Sequence, residues 1–336
     1  MKEFRGVAVL LLLLTVGLIS GCKKNKDGLP ASDIDYYKVW DEAPHNGFTD
    51  LTLFKGKFYL VFREGTSHGS NDGAIRILKS DDGKSFSAIA RFADEQFDLR
   101  DPKIVNMGDS LLYLQYGMAD RGKGIMRNGI KWSKNGDEWE SGRFTSKDKW
   151  WLWGVSMVDK ELMSIGYSFY KNDYNNLYVS KKLGHYDEVG SIQTGNLSSG
   201  ETSLASNKDT IFCAIRATHY SLPSYIGYAT KKKLKDWKCF SQNPKLILGG
   251  PKMFFLPNRK LYLLTRSANS GSLQTDLFLV DRKTFELSYI LTLPSSGDNG
   301  YGGIAFDKKN LFISYYSTFN SKSQILIARF PLSQFK

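Results

Sequence analysis

The stretch "ILKSDDGKSFSAIARF", residues 77–92, contains a short polar turn that is followed at once by an aromatic residue. The stretch "IKWSKNGDEWESGRF", residues 130–144, repeats both features. Five such turns begin at Ser80, Ser133, Ser180, Thr230 and Asp281, at successive intervals of 53, 47, 50 and 51 residues. A repeat of about 50 residues predicts that the chain is built from copies of one supersecondary unit.

Each polar turn is preceded by an apolar hairpin. The first hairpin is "GFTDLTLFKGKFYLVFREG", residues 47–65, in which Lys-Gly forms the tight reversal between two strands. A hairpin, a third strand, a polar turn and a fourth strand make one blade of a β-propeller. A sixth hairpin, "YGGIAFDKKNLFISYYS", residues 301–317, follows the last turn. Six hairpins predict an all-β, six-bladed β-propeller, with five or seven blades or a β-sandwich as alternatives. We expect the segment "YYKVW", residues 36–40, to close the ring against the last strand.

The composition agrees with many short strands and limits the partners. Aromatic residues make up 14% of the 336 residues, and no segment has the pattern of a long amphipathic helix. The net charge of +12 indicates attraction to anions, such as an acidic glycan or an anionic membrane surface. Because an exported protein rarely meets nucleic acid, we expect a glycan partner, no nucleic acid and a monomer.

The first residues predict export and a lipid anchor. Lys2 and Arg5 precede an apolar run that is shorter than the roughly 20 residues of a membrane span. The run ends in "LISGC", residues 18–22, which resembles the signal of bacterial lipoproteins and implies lipid on Cys22. An ordinary secretory signal is the alternative. The predicted division is a signal peptide at 1–21, a tether at 22–35 and the propeller at 36–336, anchored in the cell envelope, with the outer membrane favoured.

Cysteine and histidine usage predicts no cofactor. Besides Cys22 the chain has only Cys213 and Cys239, which could form one disulfide or remain thiols. None of the four histidines has the spacing of a known metal motif. We therefore expect neither a metal nor an organic cofactor.

Propeller sites form at the axis, where innermost strands begin and second strands end. The polar and aromatic residues predicted at the starts of innermost strands are Asp50, Asp101, Trp153, Glu201 and Tyr301, and those predicted at the ends of second strands include Arg63, Arg216, Arg266 and Tyr316. Such residues on different blades would face one common pocket.

Two sets of residues in the chain resemble those of sialidases, and the resemblance implies a six-bladed β-propeller of the sialidase type. The pattern Ser-x-Asp/Asn-Gly-x-x-Phe/Trp, at Ser80–Phe86 and Ser133–Trp139, resembles the Asp-box (BNR repeat) of that superfamily. Glu201, with Arg216 fifteen residues later, Arg266 and Tyr301, resembles the sialidase site. The resemblance implies a Tyr301 nucleophile that is activated by Glu201, an anionic group bound by Arg63, Arg216 and Arg266, and Asp72 or Asp101 as the acid. His68 and Trp153 are further candidates, for a sugar hydroxyl and a sugar ring.

The chain departs from sialidases at one important point. Sialidases begin their first blade with Phe-Arg-Ile-Pro, whereas "GFTDL", residues 47–51, has no arginine there, which puts sialic acid in doubt. The stretches "FREGTSH", "DLRDPK" and "PSSGDNGYGG" are more similar to a bacterial lipoprotein group of sialidase-like proteins.

The sequence therefore predicts an exo-acting glycoside hydrolase that releases a terminal sugar, with an acidic sugar as one candidate. Two alternatives remain open. Asp50, Asp101 and Glu201 resemble the three carboxylates of arabinanases and xylosidases, which would give a different set of catalytic roles. The chain could also be a non-catalytic, glycan-binding lipoprotein.

Overall fold

The computed structural model is a six-bladed β-propeller, which confirms the predicted fold class. It describes residues 34–121, 126–142, 144, 150–168, 175–192, 199–218, 222–244, 246–268 and 271–335. These residues form six antiparallel sheets of four strands each, and the first strands of neighbouring blades contact one another around the axis. Within these ranges no helix has the length and apolarity needed to cross a bilayer.

The strands of a blade follow one another outward from the axis. Blade 1 is formed by β2 (His45–Phe54), β3 (Lys57–Gly65), β4 (Ala74–Ser80) and β5 (Ser87–Phe92), and blade 2 by β6 (Phe97–Asn106), β7 (Leu112–Asp120), β8 (Met126–Ser133) and β9 (Glu140–Gly142). Blade 3 is formed by β10 (Trp150–Val158), β11 (Glu161–Ser168), β12 (Asn175–Lys182) and β13 (His185–Ile192), and blade 4 by β14 (Ser199–Ser206), β15 (Thr210–Ala217), β16 (Tyr225–Thr230) and β17 (Lys238–Ser241). Blade 5 is formed by β18 (Gly249–Phe255), β19 (Leu261–Ser267), β20 (Gln274–Val280) and β21 (Leu287–Leu293), and blade 6 by β22 (Asn299–Phe306), β23 (Asn310–Phe319), β24 (Lys322–Pro331) and β1 (Asp35–Trp40).

The two ends of the described chain close the ring. Strand β1 pairs antiparallel with β24 as the outermost strand of blade 6, so that Tyr36 lies opposite Ala328. Ile34 is already buried in the core of that blade. Ile34 and β1 are therefore part of the packing of blade 6. The predicted signal peptide and Cys22 lie outside the described residues.

The repeated polar turns join the third and fourth strands of a blade, far from the axis. In the first turn, Asp82 Oδ1 accepts hydrogen bonds from the backbone N–H groups of Lys84 and Ser85, at 2.8 Å each. In the second turn, Asn135 accepts the equivalent bonds from Asp137 and Glu138. The aromatic residues after both turns pack against blade cores. These turns stabilise the ring and do not contribute side chains to the axis.

A β-bulge near the start of every innermost strand orients the residues at the axis. The pairing of β2 with β3 is interrupted between Gly47 and Asp50, and the other five blades have an interruption at the equivalent point. The first residue of the bulge has a positive φ in four blades, namely Phe48 (60°), Asp101 (45°), Gly250 (55°) and Tyr301 (50°). Three of these four are not glycine, and each costs about 1–3 kcal/mol of backbone strain, a cost that is characteristic of functional sites.

Cys213 and Cys239 are both free thiols. They lie on β15 and β17, on either side of Gly227 in β16. Residues separated by an intervening strand have Cα atoms about 9–10 Å apart, which is beyond the reach of a disulfide. Of the two alternatives that the sequence left open, a disulfide between Cys213 and Cys239 or two thiols, the structure has two thiols.

Candidate active site

Tyr301, Glu201 and Arg216 meet at the axis in a closed set of hydrogen bonds. Strand β22 contributes Tyr301, β14 contributes Glu201 and β15 contributes Arg216. The Tyr301 hydroxyl donates to Glu201 Oε1 at 2.8 Å, and Arg216 Nη1 donates to the same oxygen at 2.8 Å and to the Tyr301 hydroxyl oxygen at 3.0 Å. The backbone N–H of Gly250 donates to Glu201 Oε2 at 2.8 Å. Residues from blades 4, 5 and 6 thus converge on one phenol.

The electrostatics of this set favour an ionised Glu201 beside a protonated Tyr301. Burial raises the pKa of Glu201, but the charge of Arg216 and the bonds from Gly250 and Tyr301 outweigh it, so that this pKa lies below its ordinary value. Burial, and then the negative charge of Glu201, raise the pKa of Tyr301 well above its usual range. The phenol therefore keeps its proton at neutral pH, with a carboxylate in place to accept it.

Arg266 covers the ring of Tyr301. Its guanidinium carbon lies 5.0 Å from the ring centroid, and its Nη1 donates to Asp298 Oδ1 at 3.1 Å and to the carbonyl of Asn299 at 3.3 Å. Each of Arg216 and Arg266 thus has a carboxylate partner through Nη1. The Nη2 groups of both arginines make no hydrogen bond to the described residues, which leaves them able to donate to a ligand.

We call the region at the axis around Tyr301, Glu201, Arg216 and Arg266 the well, and Asp101 lies on its blade 2 side. Its Oδ2 accepts a bond of 2.6 Å from the indole N–H of Trp153, and Lys103 Nζ lies 4.1 Å from the centroid of the Trp153 ring. Burial raises the pKa of Asp101, and the charge of Glu201 adds to this, whereas Lys103 and Trp153 oppose it. The result is a pKa above the ordinary value. Of the candidate acids, Asp101 is thus the one whose surroundings favour the protonated form.

Asp298 organises the wall beside blade 1. Its Oδ2 is bonded to His68 Nδ1 at 2.6 Å and to His45 Nε2 at 3.1 Å, and its Oδ1 accepts a bond of 2.8 Å from the Tyr316 hydroxyl. Burial raises the pKa of Asp298, but the bonds from the histidines and Tyr316 hold it well below its usual range. His68 is half-exposed, whereas His45 is buried.

Three residues of this well are absent from the predicted set, namely Phe48, His45 and Asp298. The ring centroid of Phe48 lies 5.0 Å from that of Tyr301 and 4.9 Å from that of His68. Phe48, the first residue of the bulge, was missed because blade 1 was aligned on Asp50, two residues later. Asp298 stands within "PSSGDNGYGG", the stretch that also contains Tyr301, and this was the available signal. No comparable signal marks His45.

The structure corrects the assignment of Arg63 to the anion-binding set. Its side chain is fully buried, and its guanidinium group is bonded to Asp98 and to the carbonyl oxygens of Ser67 and Ser70. With these partners it orders the loop after β3 and has no face toward a ligand.

Two of the carboxylates are also corrected. Asp50 is fully buried, pairs with Lys252 at 2.7 Å and accepts the backbone N–H of Ile104, so it supports the inner strands and cannot complete a catalytic carboxylate trio. Asp72 is exposed, and its bonds to Ser70 and Thr66 outweigh its slight burial and lower its pKa to about 2. A group with that pKa is ionised at neutral pH and is a poor proton donor.

Trp153 and Tyr316 lie in the well but in roles other than those predicted. Trp153 is only 2% exposed and Tyr316 is fully buried, and the Trp153 ring is already covered by Lys103 Nζ at 4.1 Å from its centroid. Trp153 positions Asp101 and Tyr316 positions Asp298, as their hydrogen bonds show.

The fold is shared with solved propellers of low sequence identity. A protein of unknown function from Dyadobacter fermentans superposes with a TM-score of 0.73 at 14% identity, covering 88% of this chain and 97% of that one. An α-L-arabinofuranosidase from Fusarium graminearum gives a TM-score of 0.68 at 10% identity, covering 89% and 98%. Trypanosoma rangeli sialidase gives 0.67 at 8% identity, and the shared region covers 87% of this chain but only 55% of the sialidase.

These structural similarities show the fold. The similar proteins include two kinds of glycoside hydrolase, a sialidase and an α-L-arabinofuranosidase. No family model matches the chain, and no curated protein matches it in sequence.

Proposed function

We propose that this protein is an exo-acting glycoside hydrolase that releases a terminal sugar with Tyr301 as its nucleophile. The observation that carries the proposal is the contact of the Tyr301 hydroxyl with both Glu201 and Arg216, at 2.8 and 3.0 Å. A phenol is a weak nucleophile at its ordinary pKa and needs an adjacent base. Glu201 supplies that base, and Arg216 stabilises the phenolate as it forms. The glycoside hydrolases among the structural neighbours support the reaction class.

In the first step, Tyr301 Oη forms a bond to the anomeric carbon while its proton passes to Glu201 Oε1. The bond from the anomeric carbon to the leaving oxygen breaks, and that oxygen takes the proton of Asp101. In the second step, water gives a proton back to Asp101 while its oxygen attacks the same carbon. The bond from that carbon to Tyr301 Oη breaks, and the phenolate oxygen takes its proton back from Glu201. Two displacements at one carbon retain its configuration. The Nη2 groups of Arg216 and Arg266, which have no hydrogen-bond partner among the described residues, would hold oxygen atoms of the sugar.

The decisive experiment compares Glu201→Gln and Tyr301→Phe with two matched controls. Glu286→Gln changes an exposed glutamate in an outer turn, and Tyr289→Phe changes a tyrosine of the outer strand β21. We expect both site variants to lose about 10²–10⁴-fold or more in kcat on a panel of aryl glycosides and glycans. Both controls should retain wild-type turnover.

Glycan binding by the same variants separates catalysis from mere recognition. An enzyme should still bind its sugar after Glu201→Gln, because this change preserves the shape of the side chain. Wild-type protein that binds glycans but releases no sugar above the Glu201→Gln background would refute the hydrolase and favour the non-catalytic glycan-binding lipoprotein.

We further propose that the propeller acts as a monomer tethered to the cell envelope by lipid on Cys22, with the outer membrane favoured. The signal-like segment before Cys22 supports this proposal. Replacing Cys22 with Ser should shift the protein from the membrane to the soluble fraction, whereas Cys239→Ser should not. Equal membrane retention of the two variants would contradict a lipid on Cys22.

A further inference from the structure

His45, His68 and Asp298 present three ligand atoms to one small volume at the edge of the well. One ligand atom from each residue lies within 4.8 Å of the other two, and Asp298 Oδ2 contacts both His45 Nε2 and His68 Nδ1. The two histidines come from β2 and from the loop after β3, and Asp298 precedes β22. Sequence spacing could not reveal this set, because 23 residues separate the histidines and 230 separate His68 from Asp298.

Two imidazole nitrogens and one carboxylate oxygen form a donor set that suits divalent first-row transition metals. A tetrahedral ion with bonds of about 2.0–2.2 Å holds its ligand atoms about 3.4 Å apart. The present separations from Asp298 Oδ2 are 2.6 Å to His68 and 3.1 Å to His45. For these two pairs of atoms, an opening of less than about 1 Å reaches the spacing of a metal site. The half-exposed His68 side chain can make that movement at little cost.

The surroundings fix these ligands as a second coordination shell does. Asp298 Oδ1 is held by the Tyr316 hydroxyl at 2.8 Å and by Arg266 at 3.1 Å, which leaves Oδ2 for the histidine side. The His68 ring contacts Phe48 edge-on at 4.9 Å between centroids. Outer contacts of this kind orient metal ligands and raise affinity. His45 is buried and His68 is half-exposed, so the site is open to solvent on the side of His68.

We propose that His45, His68 and Asp298 bind one divalent transition-metal ion, with Zn²⁺ the best match to two imidazoles and a carboxylate. Three protein ligands leave a coordination position open, as in sites where a metal holds water or a ligand oxygen. Tyr316 connects the cluster to the well, because its ring centroid lies 6.2 Å from that of Tyr301. The ion would therefore hold an oxygen atom of a bound sugar. Metal binding itself does not depend on the proposed hydrolase activity.

Equilibrium dialysis of the full-length protein tests the site without an activity assay. Protein stripped with a chelator is dialysed against about 10 μM Zn²⁺, and bound metal is measured by mass spectrometry. We expect about one Zn²⁺ per chain, and more than about 10-fold weaker binding in His68→Ala and Asp298→Asn. The matched control is His185→Ala, because His185 is also exposed and also pairs with an aspartate, Asp187, on an outer strand.

A second measurement uses Co²⁺, whose visible absorption reports its coordination. Co²⁺ bound by the wild type and by His185→Ala should give d–d bands that His68→Ala lacks. Circular dichroism of each variant shows that it is folded. Substoichiometric Zn²⁺ on the wild type, or stoichiometric Zn²⁺ on folded His68→Ala, would overturn the proposal and leave the cluster as a hydrogen-bond network.

Discussion

Asp101 and Tyr301 occupy the same position in the innermost strands of blades 2 and 6, which flank blade 1. Each residue is the first of its β-bulge, and their φ angles are 45° and 50°. The bulge takes each residue out of the regular alternation of a strand. It thereby brings a carboxyl group and a phenol into one well, where Asp101 and Glu201 influence the pKa of Tyr301.

The first prediction concerns Asp101→Asn. Asn keeps an acceptor for the Trp153 N–H and tolerates a positive φ, but it cannot donate the proton of a carboxylic acid. We expect kcat/KM to fall about 10²–10⁴-fold for substrates with a poor leaving group, and much less for activated aryl glycosides. The ratio of the two losses is the measurement. Equal losses for both classes of substrate would argue against Asp101 as the acid.

The pH dependence of the same variant gives a second prediction. Because the pKa of Asp101 is raised in the folded protein, its favourable contribution is present below the unfolded pKa of about 4 and is lost as pH rises through the folded value. Thermal unfolding should therefore show Asp101→Asn gaining stability relative to the wild type as pH rises from about 4 to 8. The alkaline decrease in wild-type activity that reflects Asp101 should be absent from the variant. A stability difference that does not change with pH would contradict a raised pKa.

Much of the fold follows from the spacing of the polar turns. The turn between the third and fourth strands needs a polar residue to accept hydrogen bonds from its backbone N–H groups, as in blades 1 and 2. The site was predicted only in part. Glu201, Arg216, Arg266 and Tyr301 converge because their blades were aligned correctly. Blade 1 was aligned wrongly, because hydrophobic alternation does not reveal its bulge. Asp50 was therefore predicted at the position that Phe48 occupies.

The remaining errors arise from burial and from long-range contacts. A sequence shows that Arg63 ends a strand, but not that Asp98, 35 residues later, is buried against it. The same limit hid the pairing of His45 with Asp298, which are 253 residues apart. The sequence predicted which residue types stand at which strand positions. It did not predict which residue each charged side chain contacts, and that contact decides what the side chain does.

The third prediction concerns substrate choice. Thr49, in the place of the sialidase arginine, is fully buried and bonded to the carbonyl of Tyr301 and the hydroxyl of Ser314, and Arg63 is also fully buried. A sugar carboxylate would thus lack one charge-assisted contact, worth about 1.5–3 kcal/mol, or about 10–100-fold in affinity. On aryl glycosides, kcat/KM for a sialoside should be lower than for the best neutral sugar by at least that factor. A known sialidase serves as the positive control, and a preference for the sialoside would contradict the prediction.

The fourth prediction separates the polar turns from the chemistry. Asp82 accepts two backbone N–H groups and the Ser80 hydroxyl, and these bonds lower its pKa to about 2. Asp82→Ala should lower the free energy of unfolding by about 1 kcal/mol at neutral pH. Since the folded pKa is lowered, this contribution is present above about pH 4 and is lost as pH falls toward about 2.

Asp81→Ala is the matched control for that experiment. The neighbouring Asp81 is exposed, and its one ion-pair partner in the described part of the chain is Lys57 at the surface, so its removal should change stability by less than about 0.5 kcal/mol. Denaturant titration measures both variants, and both should keep wild-type turnover per folded molecule. Loss of activity in Asp82→Ala without loss of stability would show that this turn contributes to the active site.

The last prediction concerns the packing of the second turn against the preceding blade. Gly136 has a φ of 86°, and a Cβ there would overlap the hydroxyl of the buried Tyr59 in blade 1. Gly271 has a similar φ of 89° with nothing within 4 Å of the equivalent position. Gly271→Ala should therefore cost only the backbone strain, about 1 kcal/mol, whereas Gly136→Ala should cost about 1–3 kcal/mol more. Adding Tyr59→Phe to Gly136→Ala should recover part of that difference, because the overlapping oxygen is gone. Equal unfolding free energies for the two alanine variants would mean that the turn does not hold blades 1 and 2 together.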